Sequence, residues 1–406
     1  MNRTFELAFR NLYRQRRRSG LALLAVVFGV VALVLAGGFI EWGLWFGRDS
    51  TIHSQLGHLQ IVRKDYFEKG VADPYNYLLP KQSPELSKVL ELSHVKAVGA
   101  RLSFSGLASL RDATISFLGE GVDVAAEKEL SRSLTIRDGQ DLSPEDLQGV
   151  ILGQGLAANL DARVGDSIVL LASPARGGMN ASEVRVRGVF STVTKAYDDA
   201  ALRMPIEMAR KLLRIEGAHA WVVLLQDTDL TRPVAAQVRE ITAGSNYQVR
   251  EWRELADFYN KTETLLVRQF GIVKAVIGMI IVLSITNTMM MAVMERTGEI
   301  GTIMALGTRR RDVLQLFLAE GLVIGMVGAA LGLLTGYALA AIISFFGIPM
   351  PPPPGMADAY TARILVTVPL AAESFGLAAV TTLLASVYPA WKAADLVIVD
   401  ALRTNR

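Results

Sequence analysis

Four apolar runs, each about 20 residues or longer, constrain this chain more than any other feature of its sequence. At a rise of about 1.5 Å per residue, a helix of that length crosses the hydrocarbon core of a bilayer, which is about 30 Å thick. Hydrophobic residues also make up 51% of the 406 residues. The sequence therefore predicts an α-helical membrane protein with four transmembrane helices. We place them at 19–48, 265–294, 313–346 and 366–388.

A long polar region, 49–264, separates the first two spans and is large enough to bury a core of its own. It begins with LGHLQIVR, which alternates like a strand, and continues with further short strand-like and helix-like patterns. The segment 172–183 has Pro, Gly and Asn between two strand patterns, which predicts a loop or hairpin tip. The predicted fold class is thus four transmembrane helices plus an α+β extracytoplasmic domain.

Basic residues predict the side of the membrane that each segment faces, because short cytoplasmic loops collect Lys and Arg. Segment 1–18 has six Arg against one Glu, and segment 295–312 has four Arg. The polar region has 25 basic and 29 acidic residues, and long translocated domains escape the rule. We therefore expect a multi-pass inner (plasma) membrane protein with cytoplasmic N and C termini and a periplasmic large domain.

These signals divide the chain into nine segments. The first segment has Arg and aromatic residues on opposite helical faces, as expected of a helix that lies on anionic lipid. In chain order the segments are a cytoplasmic amphipathic helix at 1–18, transmembrane helix 1 at 19–48, the periplasmic α+β domain at 49–264, transmembrane helix 2 at 265–294, a cytoplasmic helix at 295–312, transmembrane helix 3 at 313–346, a short periplasmic loop at 347–365, transmembrane helix 4 at 366–388 and a cytoplasmic tail at 389–406.

Motifs for catalysis, metal binding and nucleic-acid binding are missing from the sequence. It has no HExxH, no GxSxG, no Walker A loop and no cysteine, and its four His form no metal-ligand pattern. GQGLAA at 153–158 matches a dinucleotide fingerprint only formally, since a turn-like DARVGD and another strand follow it. We therefore expect a chain without catalytic residues, metal or cofactor, so any energy must come from a partner.

Two kinds of residue stand out inside the predicted spans. Lys274, Glu320 and Glu373 are ionisable, and each costs about 3 kcal/mol at the bilayer centre unless it is paired or hydrated. They either snorkel towards an interface or hold neighbouring helices in place. Small residues recur in the third span, so that face is expected to pack closely against the chain's own spans or against another copy. These small residues are Gly325, Ala329, Gly332 and Gly336.

The order of one span, a large external domain and three further spans resembles the FtsX/MacB-like permeases of ATP-binding-cassette (ABC) systems. The resemblance is most specific in MAVMERTGEIGTIMALGTRRRDV at 291–313 and in the tail YPAWKAADLVIVDALR at 388–403. The external sequence at 134–170 also resembles the MacB-like periplasmic core domain of macrolide-exporter and lipoprotein-releasing members.

This resemblance implies that separate cytoplasmic ATPase subunits, which bind ATP and Mg, dock on the helix between spans two and three. In this sequence Ile300, Ile303 and Met304 would form an apolar stripe that enters a groove of the ATPase, and Gly307 would end the helix. The implied docking residues are Glu295, Arg296, Glu299, Ile300, Ile303, Met304, Leu306, Arg309, Arg310 and Arg311.

The resemblance also implies mechanotransmission, in which a permease dimer, made of two copies or of two paralogues, moves cargo on the outer side of the membrane. Lipoprotein release towards the outer membrane, with a periplasmic carrier, is favoured because no ATPase is fused within this sequence and the external domain is large. Tripartite efflux of small molecules or peptides, with an adaptor and an outer-membrane duct, and regulation of cell-wall hydrolases stay open as alternatives.

Overall fold

The computed structural model describes residues 16–70, 72–192, 194–351, 359–398 and 401. The chain forms two compact units. The helical unit comprises Met1–Trp45, Thr262–Met350 and Thr361–Arg406, and the sheet unit comprises Phe46–Lys261 and Pro351–Tyr360. Most of the predicted amphipathic helix at 1–18 lies outside the described residues.

Helices and short strands alternate along the sheet unit, and long helices flank it on both sides in the sequence. In chain order the elements of the described residues are α1 (Arg16–Thr51), a π-helical turn (Ile52–Leu56), β1 (Leu59–Arg63), α2 (Tyr66–Lys69), a 3-10 turn (Pro74–Tyr77), α3 (Pro84–Leu90), β2 (Val95–Leu110), β3 (Ala113–Val122), α4 (Val124–Leu130), β4 (Thr135–Gly139), β5 (Gly149–Gly153), α5 (Gln154–Leu160), β6 (Ser167–Ala172), β7 (Asn180–Ser191), α6 (Lys195–Asp198), β8 (Ala201–Pro205), α7 (Ile206–Leu213), β9 (Ala220–Leu225), a 3-10 turn (Thr228–Leu230), α8 (Thr231–Ile241), β10 (Tyr247–Glu251), α9 (Trp252–Leu255), α10 (Asp257–Glu295), α11 (Thr297–Ala305), α12 (Arg310–Phe346), β11 (Ile348–Met350), β12 (Tyr360–Ala362) and α13 (Val368–Ala394).

Four helices, α1, α10, α12 and α13, are long and apolar enough to cross a membrane. The predicted fold class, four transmembrane helices plus an α+β domain, is therefore confirmed. The helix α10 begins at Asp257, earlier than the span predicted from 265, because polar residues precede the apolar run in the same helix. An acidic residue in the first turn of a helix also favours its start at that position.

One continuous core joins the four long helices within the helical unit. It contains Val30 of α1, Ile285 of α10, Phe317 of α12 and Ala385 of α13, all at most 1% exposed. Large apolar side chains on the outer faces stay exposed, for example Met279 of α10 at 64%. Such faces are expected of helices that are surrounded by lipid.

The sheet unit contains a closed barrel of six strands. Its neighbours run β2, β3, β8, β5, β7 and β6, and β6 pairs again with β2. In β2, Leu102, Ala108 and Leu110 lie in the core of the barrel, whereas Ser105 and Leu107 between them are exposed. The helices α5 and α7 pack on the same core.

The strand β2 is long enough to serve two parts of the sheet. Its second half lies in the barrel, and its first half, Val95–Arg101, pairs with β9, which is followed by β1 and β10. The helix α3, which precedes this strand, is short. It begins at Pro84, where the Ser83 hydroxyl accepts a hydrogen bond from the N–H of Leu86 at 3.1 Å, and the chain is already a strand at Val95.

The hairpin predicted at 172–183 is confirmed, because β6 and β7 pair antiparallel with Ala172 opposite Asn180. The strand β8 was not predicted. Its five residues are all buried, so they show no alternation of exposed and buried positions, and its central residue is Arg203.

Candidate coupling site

A short helix, α11, stands between the two long helices α10 and α12. The helix α10 ends at Glu295, and Arg296, with φ −98° and ψ 13°, separates it from α11. After α11, Gly307 adopts φ +102°, a left-handed conformation that glycine reaches without strain. The next helix is capped by Asp312, whose carboxylate accepts a hydrogen bond from the N–H of Arg309 at 3.3 Å.

The helix α11 has one face in the core of the helical unit and one face outside it. Ile300 and Met304 are buried, at 3% and 7% exposed, and they pack in the same core as Phe317. Ile303 and Leu306 are 38% and 83% exposed. Of the three residues predicted to form a docking stripe, only Ile303 is exposed, because Ile300 and Met304 are four residues apart and share the face that packs in the core.

The residue Arg296 connects the start of α11 to the next span. Its Nη1 lies 3.2 Å from Oε1 of Glu320 in α12, and its Nε lies 3.5 Å from Oε2 of Glu299. Its guanidinium also lies 5.9 Å from the ring centre of Phe317. Arg296 is thus directed into the unit, whereas Glu295 and Glu299 are exposed.

The buried face of α11 packs against residues of the C-terminal tail. A Cβ added to Gly301 would lie 2.7 Å from Cβ of Ala401, so the two backbones are in close contact, and Ala401 is 2% exposed. Leu396 and Ile398 pack on the core that holds Ile300. Sequence reasoning assigned this tail no contact, although its apolar pattern after a Pro-containing helix was a usable signal.

The three consecutive arginines after α11 are exposed, but they differ in their contacts. Arg310 Nη1 lies 2.9 Å from Oδ1 of Asp395, just beyond the end of α13. Arg309 contributes its N–H to the cap of α12, and Arg311 is exposed in the first turn of that helix. The positive charge next to α11 therefore stays at the surface.

The small residues of α12 pack against two of the chain's own helices. A Cβ at Gly325 would overlap the hydroxyl of Thr382 in α13, whereas Cβ atoms at Gly332 and Gly336 would lie 2.6 Å and 3.2 Å from Cβ of Val30 and Val34 in α1. Ala329 is fully buried beside them. Of the two alternatives left by the sequence, the structure shows packing within one chain.

Both glutamates singled out in the spans have a basic partner. Glu320 pairs with Arg296, and Glu373 of α13 pairs with Lys274 of α10. The Lys274 ammonium also lies 4.8 Å from the ring centre of Phe270. The two pairs differ in burial, because the side chain of Glu320 is 8% exposed and that of Glu373 is 53% exposed.

Among the described residues, no group of three or more His, Cys, Asp or Glu side chains is placed to hold a metal ion. The arrangement around α11 contains instead an exposed apolar pair, Ile303 and Leu306, with charged residues beside it and a fixed core behind it. This is a surface that another protein could contact and push.

The sequence matches two family models. The MacB-like periplasmic core domain matches residues 19–241, and the FtsX-like permease C-terminal part matches residues 271–398. An uncharacterized ABC transporter permease of Methanocaldococcus jannaschii is 24% identical over 83% of this chain and 83% of its own length. The macrolide export ATP-binding/permease protein MacB of Campylobacter jejuni is 23% identical over 81% of this chain, which spans only 52% of that relative. The lipoprotein-releasing system transmembrane protein LolC of Xylella fastidiosa is 27% identical over 68% of this chain and 69% of its own length.

Proposed function

We propose a coupling function for this chain, which belongs to the ABC transporter permeases that have a MacB-like periplasmic core domain and an FtsX-like C-terminal part. A separate cytoplasmic ATPase subunit binds α11, and ATP hydrolysis in that subunit moves the long helices. The movement reaches the sheet unit, which acts on a substrate on the periplasmic side. We assign hydrolysis to a partner because no Walker A loop occurs in these 406 residues.

The observation that carries this proposal is the two-faced packing of α11. Ile303 and Leu306 are exposed, and the opposite face is held by Ala401, by the core and through Arg296 by Glu320. A helix fixed in this way moves together with α10 and α12 when a partner pushes on it. An apolar pair flanked by charges suits an amphipathic helix that enters a groove of another protein.

The docking surface can be tested with the double variant Ile303→Asp/Leu306→Asp. We expect it to reduce co-purification of the ATPase subunit at least about tenfold, because two charges replace the apolar contact. Val397→Asp is the matched control, since Val397 is also apolar and 56% exposed but lies in the tail. Stoichiometric ATPase binding by the double variant would refute the assignment. Met304 is unsuitable for this test because its side chain is in the core.

For the substrate, we propose lipoprotein release towards the outer membrane. The likeness to LolC, at 27% identity over 69% of that relative's length, supports this choice. The likeness to MacB supports tripartite efflux with an adaptor and an outer-membrane duct as the second candidate. The hairpin tip between β6 and β7 would contact a soluble carrier in lipoprotein release and an adaptor in tripartite efflux.

Reconstitution separates the two substrate classes. Proteoliposomes that contain the permease, its ATPase subunit and a fluorescent triacylated lipoprotein should release the lipoprotein to a soluble carrier only when ATP is hydrolysed. Under efflux, ATP hydrolysis would instead be stimulated by an adaptor and a macrolide or peptide. ATP-independent release, or no release with an active ATPase, would argue against the lipoprotein assignment.

A further inference from the structure

Within the sheet unit, hydrogen bonds as well as the covalent chain hold the end of α1 in place. All residues of this junction lie within Phe46–Lys261. The helix α1 passes at Thr51 into the π-helical turn Ile52–Leu56, and Gly57 then directs the chain into β1. Gly57 has φ +63°, and a Cβ there would overlap Val222, so the close approach requires glycine.

Two carbonyl groups of the π-helical turn, those of His53 and Ser54, accept hydrogen bonds from donors elsewhere in the unit. A helix end leaves carbonyls without partners inside the helix. The carbonyl oxygen of Ser54 accepts hydrogen bonds from Nη2 of Arg203 at 2.9 Å and from the hydroxyl of Ser131 at 3.3 Å. The carbonyl oxygen of His53 accepts the N–H of Ser133 at 3.2 Å. The turn is therefore held both by β8 and by the loop that follows α4.

Arg203 is the centre of this junction and is only 1% exposed. Its Nη1 lies 3.0 Å from Oε1 of Glu127 in α4, and its Nε lies 3.1 Å from Oε2 of Glu120 in β3. Burial opposes its charge, but the neighbouring Tyr197, Glu120 and Glu127 raise the pKa of Arg203 above its usual value. The planar guanidinium reaches both carboxylates and the helix carbonyl at once, which a single ammonium group cannot do.

The position of Arg203 in the sheet decides which part of the unit the helix end contacts. The strand β1, which follows the helix along the chain, pairs with β9 and β10 outside the barrel. Arg203 lies on β8, which is inside the barrel between β3 and β5. The helix end therefore contacts the barrel through Arg203 and α4, and not through the strand that the helix continues into.

We propose that Arg203 is the residue through which a displacement of α1 enters the barrel, and that Glu120 and Glu127 hold its guanidinium on the Ser54 carbonyl. This inference rests on the proposed coupling function, because it assigns one step of the path from the helices to the periplasmic domain. Arg203 is in this sense a positioning residue, which links two elements and does not contact the substrate.

Distances between spin labels test the junction in the full chain. Because the sequence contains no cysteine, labels can be placed specifically at Arg48→Cys in the last turn of α1 and at Glu183→Cys in β7, both of which lie in the sheet unit. In nanodiscs, we expect pulsed EPR to give a distance distribution roughly twofold broader for Arg203→Lys than for wild type. Arg185→Lys is the control, since Arg185 is also on the barrel but pairs with Asp146 at the surface, at 2.9 Å.

A folded Arg203→Lys protein whose label distances are as narrow as in wild type would overturn the inference. If this variant fails to fold, Glu127→Gln tests the same junction, because it removes one carboxylate that holds the guanidinium while keeping the size of the side chain. We expect it to broaden the distribution as well, and an unchanged distribution would again contradict the proposal.

The failure of this inference can be told apart from the failure of the coupling function. The EPR measurement uses the permease alone and needs no ATPase, whereas the coupling function depends on ATPase binding at Ile303 and Leu306. With the ATPase present, Arg203→Lys should keep wild-type ATPase binding and lose ATP-dependent substrate transfer. If the variant has a broad distance distribution but transfers substrate at the wild-type rate, Arg203 holds the helix end in place but has no role in coupling.

Discussion

The guanidinium of Arg296 lies 3.2 Å from the carboxylate of Glu320, so the residue between α10 and α11 is paired with a residue inside the following span. Their side chains are only 16% and 8% exposed. A buried pair of this kind adds little net stability compared with an apolar pair, but removal of one partner leaves a buried charge without compensation. The pair therefore fixes the position of the start of α11 relative to α12.

We expect Glu320→Gln to destabilise the helical unit by about 3 kcal/mol, because it removes the buried carboxylate and leaves only the exposed Glu299 beside the Arg296 guanidinium. Asp395→Asn is the control, since its partner Arg310 and Asp395 are both more than half exposed and such a pair contributes less than about 1 kcal/mol. Thermal unfolding of the purified full chain in nanodiscs measures the difference. Equal effects of the two variants would show that the Arg296 pair has no special role.

Gly325→Val should destabilise the packing of α12 on α13 by about 1–3 kcal/mol, since the new side chain would overlap Thr382. Gly376→Val makes the same change in α13 at a position where a Cβ meets no atom within 4 Å, so it should have little effect. The unfolding temperatures of the two variants report the difference. If Gly376→Val is as harmful as Gly325→Val, the overlap with Thr382 does not explain the loss.

Two buried histidines predict that the sheet unit loses stability in acid. Burial lowers the pKa of both His58 and His219 to about 4, and in each case Nδ1 accepts a backbone N–H, from Leu225 and Ser103 respectively. An imidazolium cannot accept these hydrogen bonds. The unfolded chain, with an ordinary pKa of about 6.5, binds more protons between pH 4 and pH 6.5, so stability is complete above this range and falls as the pH decreases through it.

Each histidine should therefore lower the free energy of unfolding by about 2 kcal/mol between pH 7 and pH 5. Denaturant unfolding of the full chain, followed by tryptophan fluorescence at both pH values, measures this change. His219→Gln should reduce the pH dependence, and His94→Gln should preserve it because His94 is exposed. A wild-type protein that is equally stable at pH 5 and pH 7 would contradict the prediction.

The orientation of the chain can be measured with engineered thiols on a protein that has no cysteine of its own. Met179→Cys in the β6–β7 hairpin tip, where Met179 is 69% exposed, should react with a membrane-impermeant maleimide in intact spheroplasts. Thr302→Cys on α11, where Thr302 is also exposed, should react only after lysis. The opposite labelling pattern would place α11 outside the cell and remove the docking proposal.

The sequence predicted the long helices and the 172–183 hairpin because both depend on local signals, namely apolar length and turn residues. It did not predict the pairs of Arg296 with Glu320 and of Lys274 with Glu373, since the partners are 24 and 99 residues apart. No periodicity within one segment reports a partner on another helix. Such a pairing becomes visible only when the helices are packed.

Local sequence patterns also could not predict which face of α11 is buried. The spacing of Ile300 and Met304 places them on one face, but whether that face is free depends on Ala401 and the tail. The sequence also did not identify Arg203 as a functional residue, because a charged residue in a short segment usually indicates exposed surface. Its burial depends on Glu120 and Glu127, which the topology supplies from another strand and a helix.

The strand β2 belongs to both parts of the sheet, so the two parts cannot be separated without breaking it. At Arg101 a single strand pairs with Ala220 of β9 on one side and with Val122 of β3 on the other, where the two parts of the sheet meet. A polypeptide cut at this point would leave an unpaired strand edge on each piece, so we expect neither part to fold alone. Both parts are therefore expected to unfold in a single transition.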